Sequence, residues 1–126
     1  MKEFRKKLLF LYILIQSIYY MGYVYLIEDS SNWLYKIGVT KHSPISRLKK
    51  LQTGNPNTLK LISQFETPYP FRLESILHNR YKQYQVLNEW YELPLDVVIS
   101  FNEICNDIND IIYLMKDNHF FSKNLK

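Results

Sequence analysis

The chain has 126 residues, a net charge of +4 and 47% hydrophobic residues, enough for one domain with a real core and no more. This composition excludes a disordered chain. The single cysteine, Cys105, excludes an intrachain disulfide and points to a reducing, intracellular compartment. His42, His78 and His119 lack zinc-ligand spacing, and no Gly-rich phosphate loop is present.

Residues 1–20 place Lys2, Arg5, Lys6 and Lys7 ahead of an apolar run from Leu8 to Tyr20, broken by Gln16 and Ser17. Three readings stand in order: a translated extension or packed helix, a weak membrane anchor, and a signal peptide. The run has no small-residue cleavage site and is shorter than the roughly 20 apolar residues of a membrane span. Membrane contact is therefore not the favoured reading, and Met21 as the true start accounts simply for the change of pattern at Gly22.

Tyr23 to Ile27 is strand-like and ends at the turn cluster Glu28 to Asn32; Trp33 to Val39 follows as a second strand, so an antiparallel hairpin is expected. Ser43-Pro44 reads as a helix cap with proline at the first helical position. Ile45, Leu48 and Leu51 give the helix its apolar stripe, and Gly54 and Pro56 stop it. Leu59 to Phe65 is a third strand. Residues 71–85 form an amphipathic helix with Leu73, Ile76, Leu77, Tyr81 and Tyr84 on one face. Pro94 opens one long helix whose core face runs from Val97 to Met115, with Cys105 on it as a buried thiol and Glu103, Asp107 and Asp110 outside. The expected fold is a small α/β sandwich: a three-stranded, mainly antiparallel sheet flanked by helices, a long C-terminal helix and an N-terminal apolar helical extension. The expected divisions are 1–20, 21–95, 96–116 and a tail at 117–126.

Charge is unevenly placed. Residues 36–82 carry net +7, while residues 83–126 carry net −4. The basic block is where a polyanion would bind, with Lys41, Lys49, Lys50 and Lys60 as its phosphate contacts beside Arg47. A solvated basic face is the bland alternative.

One strand carries Tyr23-Val24-Tyr25. Ten residues separate Tyr25 from Lys36-Ile37-Gly38 on the next, and Arg47 and Glu74 follow on successive helices. Leu51-Gln52-Thr53-Gly54-Asn55-Pro56, Leu77-His78 and Glu89-Trp90-Tyr91 complete the order. Over about residues 22–95 this resembles the GIY-YIG nuclease superfamily, most closely a branch met in bacteriophage and viral open reading frames and often described as a DNA-binding domain. Two departures bear on activity. Tyr23 stands where the family has its first glycine, and Lys36 where it has its second tyrosine. Tyr35 is displaced by one residue, which on a strand turns it to the opposite face.

The resemblance implies a GIY-YIG-like sandwich and a divalent-metal-dependent DNA endonuclease. Glu74 would hold Mg²⁺ (or Mn²⁺), and Arg47 would bind phosphate. Tyr25 would position or deprotonate the attacking water, and Lys36 would supply charge beside it or touch phosphate. Phosphodiester hydrolysis asks for the same parts: an activated water, positive charge at the developing phosphorane and help for the leaving oxygen. His78, one turn after Glu74, orients water, contacts phosphate or simply packs. The blander readings are a core tyrosine, a surface arginine and a glutamate favoured by the helix dipole. A binding module without the reaction is the rival function. DNA, held mainly through phosphate, is the expected partner, with RNA as the second candidate.

Overall fold

β-branched and aromatic residues after Met21 build the central strands. In the computed structural model, which describes residues 1–115, β1 (Gly22–Asp29) lies between β2 (Leu34–Thr40) and β3 (Leu59–Thr67), antiparallel to both. Two short strands, β4 (Gln85–Leu87) and β5 (Trp90–Tyr91), continue the sheet beyond β2 in the order β3-β1-β2-β5-β4. The helices are α1 (Lys2–Tyr20), α2 (Pro44–Gln52), α3 (Pro70–Arg80), α4 (Leu95–Ile99) and α5 (Phe101–Met115). The expected tail at 117–126, His119 included, lies outside the described residues.

The sheet therefore has five strands rather than the expected three. β4 and β5 are too short to show a period of two, and Tyr81 and Tyr84 continue the apolar pattern of the preceding helix. The chain instead leaves α3 at Arg80, makes a 3-10 turn at Lys82–Tyr84 and enters a hairpin. Asn88, at φ 53°, turns that hairpin, a left-handed position that asparagine tolerates better than most residues. The single C-terminal helix is likewise two, broken at Ser100. Val98 of α4 and Phe101, Cys105, Ile108 and Ile112 of α5 bury into the same cluster, so the apolar periodicity runs through the break without marking it.

Side chains alternate across the sheet. Val24, Leu26, Tyr35, Ile37 and Tyr91 face α3, α4 and α5 in the larger core. Tyr25, Ile27 and Leu59 face the other way, where Leu48 and Leu51 of α2 cover them. Ser43 caps α2 by accepting the Ser46 amide, as its sequence suggests. Gln52 then ties the following loop to β3: its amide nitrogen donates to the Asn57 carbonyl at 2.7 Å, and its oxygen accepts from the Leu59 amide at 2.8 Å. Gly54, at φ +75°, makes the turn in between. Asp29 accepts hydrogen bonds from Asn32, Asn57 and the Ser31 amide. Burial alone would raise its carboxyl, but these bonds outweigh that and hold it below the usual range. The run from Gln52 to Asn57 thus has a structural role, fastening α2 and β1 to the start of β3.

α1 is a helix, as expected, but it contributes no residue to either core cluster. Its large apolar side chains, Phe4 and Leu8 to Ile15 among them, are exposed. Among the described residues, no helix is long and apolar enough to cross a membrane. Residues 21–126 alone are expected to unfold as cooperatively as the whole chain, with a change in stability on the order of 0.5 kcal/mol, the size of a surface effect. Thermal unfolding followed by circular dichroism checks this, and a non-cooperative transition in the shorter chain would put α1 in the core.

Candidate functional site

The last turn of α3 meets the edge of β2 through His78, just past the short pairing of β2 with β5. That pairing covers only Tyr35 and Lys36. Beyond it the backbone of Ile37 is met differently: its amide donates to the Glu89 carbonyl at 3.1 Å, and its carbonyl lies 3.1 Å from His78 Nε2. A carbonyl only accepts, so Nε2 carries the proton. Nδ1 of the neutral ring is then the acceptor for the Tyr91 hydroxyl, 2.5 Å away. Both ring nitrogens of His78 are engaged in locking α3 to β2 and β5.

Glu74, one turn earlier on α3, has Oε2 3.9 Å from His78 Nε2. That oxygen is buried and has no hydrogen-bond partner among the described residues. Ligand atoms of Glu74, His78 and Glu89 lie within 4.8 Å of one another. Lys36, buried in β2, forms an ion pair with Glu89. Burial, and next the Glu89 charge, push the Glu74 carboxyl up to about 7 against the opposing pull of Lys36. Burial and then the same two carboxylates raise the Tyr91 hydroxyl. The cluster joins α3, β2 and the β4–β5 hairpin in a setting of low dielectric, where an unbalanced charge is costly.

Of the residues singled out in the sequence, the fold brings Lys36, Glu74 and His78 together. Tyr25 is buried on the α2 side, with its ring over Gly38, its partner in the β1–β2 register. What Gly38 accommodates is therefore this ring. Tyr35 and Lys36 do face opposite sides of the sheet: Tyr35 joins the larger core, and Lys36 lies opposite Ile27. Arg47 is exposed on α2. Among the described residues, no hydrogen bond or ion pair joins Tyr25 or Arg47 to the Glu74 cluster. Lys41, Lys49 and Lys50 are exposed at the end of β2 and on α2. Lys60 is exposed too, but it pairs with Glu28 after a bulge in β3 and points to the face opposite α2.

Two members of the cluster, Glu89 and Tyr91, received no role from the sequence. The Glu89-Trp90-Tyr91 run stood out there, but its partners are set by a hairpin too short to foresee. The acidic residues of α5, Glu103, Asp107 and Asp110, are exposed on its outer side, leaving that surface unsuited to a polyanion.

Compared with known proteins, residues 22–106 match the T5orf172 domain. No curated protein and no solved structure matches the chain.

Proposed function

The chain belongs to the T5orf172 domain family, a phage-associated family of nuclease-like domains, and on that footing we propose that it binds nucleic acid, DNA first of all, and hydrolyses its phosphodiester backbone as a GIY-YIG-type endonuclease does. One observation carries the reading: a buried carboxylate oxygen, Glu74 Oε2, has no hydrogen-bond partner among the described residues and lies beside a second carboxylate, Glu89, and a buried cation, Lys36.

An orphaned carboxylate oxygen destabilises a fold unless something occupies its place. Mg²⁺ or Mn²⁺ fits: such an ion takes one or two carboxylates from a protein and keeps several waters. Glu74 and Glu89 would hold it, while His78, with both nitrogens engaged, acts as a positioning residue. The ion, when bound, supplies Lewis acidity toward phosphate and neutralises the leaving oxygen. Lys36 keeps a positive charge next to the carboxylates and limits their mutual repulsion. Arg47 offers two parallel hydrogen bonds to phosphate oxygens, and Lys41, Lys49 and Lys50 hold the strand electrostatically. Contacts of this kind read phosphate rather than base sequence, so sequence preference is low.

The second reading, a binding module that keeps the fold and lacks the reaction, draws on the lack, among the described residues, of any hydrogen bond or ion pair from Tyr25 or Arg47 to the Glu74 cluster. Incubating the chain with supercoiled plasmid in Mg²⁺, Mn²⁺ or EDTA separates the two. The expected result is nicking with either metal and none in EDTA, with log affinity falling linearly against log salt in gel shifts. Plasmid that is shifted but intact under both metals gives the binding module, and plasmid neither shifted nor nicked rejects both.

A further inference from the structure

Where α1 ends and α3 begins, a cleft of about 490 Å³ is lined by Tyr20, Tyr69 and Phe71, by two prolines, and by Lys41 and Arg72. Lys41 Nζ also stands 5.7 Å from the centroid of the Tyr19 ring. No carboxylate is among the lining residues. Phe71 is 53% exposed although it sits in the first turn of a packed helix. Pro70, before it, is fixed against Gly22, where a Cβ would come within 3.0 Å of the proline ring, so the mouth of the cleft is anchored to the start of β1.

Aromatic faces flanked by cations, with no carboxylate among them, recognise a nucleobase and its phosphate. In a continuous duplex the faces of each base are already stacked on its neighbours, so only an unpaired base can enter such a cleft. Phe71, Glu74 and His78 are spaced by three and then four residues, which puts them on one side of α3. Phe71 lies about 4.5 Å along the helix axis from Glu74, at about 1.5 Å per residue. A base seated on Phe71 therefore leads its adjoining phosphate toward the candidate site.

We infer that this cleft is a seat for an unpaired nucleotide, so that the protein selects nucleic acid by structure, favouring single strands, bulges and junctions over continuous duplex. The inference rests on the nucleic-acid reading above. Lys41 holds the phosphate, and the rings of Phe71 and Tyr69 hold the base.

The test uses the full chain in EDTA, which keeps the strands intact. It is titrated with a labelled duplex, with the same duplex carrying one bulged 2-aminopurine, and with the single strand. One stacked base contributes roughly 5- to 150-fold in affinity, so the bulged and single-stranded probes are expected to bind at least about 5-fold more tightly than duplex, with 2-aminopurine emission quenched. Phe71→Ala is expected to bring the bulged probe down to duplex affinity while leaving duplex binding unchanged, and Phe71→Trp to keep both preference and quenching. Thermal unfolding shows whether each variant is folded. Equal binding of all three probes by the unaltered protein, or an unchanged preference in Phe71→Ala, overturns the base seat alone. No binding to any probe overturns it together with the nucleic-acid reading.

Discussion

Glu74→Gln is expected to lose cleavage by at least about 100-fold, the size of effect seen when one stabilising group is taken from a phosphoryl- or acyl-transfer site, and at the same time to gain stability at alkaline pH. Glutamine keeps the shape and removes the charge that would hold the metal. DNA binding in EDTA should be unchanged or slightly tighter, because a negative charge near phosphate has gone. The stability effect follows from the carboxyl itself. Burial, then Glu89, place it at about 7 instead of 4.5, so the folded protein holds this proton more tightly than the unfolded chain. The associated stability is fully present below about 4.5, declines as pH rises toward about 7 and is gone above it. At pH 8 the native protein carries the full cost of the buried charge, on the order of 1–3 kcal/mol given that the side chain keeps 17% exposure. Thermal unfolding in EDTA at pH 5 and pH 8 reads this directly: the glutamine variant should outlast the native protein at pH 8 and nearly equal it at pH 5. A difference that does not change with pH would mean that Glu74 is not the group under strain. Cleavage at the native rate would remove it from the metal site.

Gly38→Ala is expected to destabilise the fold by about 1–3 kcal/mol, the range for overfilling a packed interior. The cause is steric and not conformational. Gly38 is absent from the positive-φ positions, but a Cβ there would overlap the ring of Tyr25. Tyr25 is 1% exposed and packed with Ile27 and Leu59 under α2, so its ring has nowhere to turn. The melting temperature should fall by roughly 5–15 °C, following the usual scaling for domains near this size. In a Tyr25→Ala background the added methyl should cost almost nothing, since the clashing ring has been removed. A double-mutant cycle measures the difference as the coupling between the two positions. Additive effects would show that the strand pairing, and not the ring, is what Gly38 serves.

Much of the architecture is local and was therefore readable. Ser43-Pro44 starts a helix because the hydroxyl takes an orphan amide and proline is already set at the helical φ. β1, β2 and β3 show in the sequence as strands because neighbouring side chains are sorted by the pleat, and the same alternation separated Tyr35 from Lys36 in advance. Glu74 and His78 stand one turn apart on any helix. Each of these signals is carried by residues within a few positions of one another, so a single sequence holds it in full.

The remainder depended on distant contacts. The β4–β5 hairpin is too short to have a period, yet it delivers Glu89 to Lys36 across 53 residues and Tyr91 to His78. The break at Ser100 is invisible because both helices bury the same kind of side chain in one core. The exposure of α1 could not be foreseen from its composition, which suits a packed helix equally well. Tyr25 and Arg47 carried the family resemblance, but only the fold shows that, among the described residues, neither is hydrogen-bonded or ion-paired to the Glu74 cluster. The pattern of apolar residues tells which face a side chain takes, for that is decided by backbone period. Desolvation, and with it the raised carboxyl of Glu74, is decided by everything that excludes water from the same few ångströms, and only the tertiary structure brings those groups together.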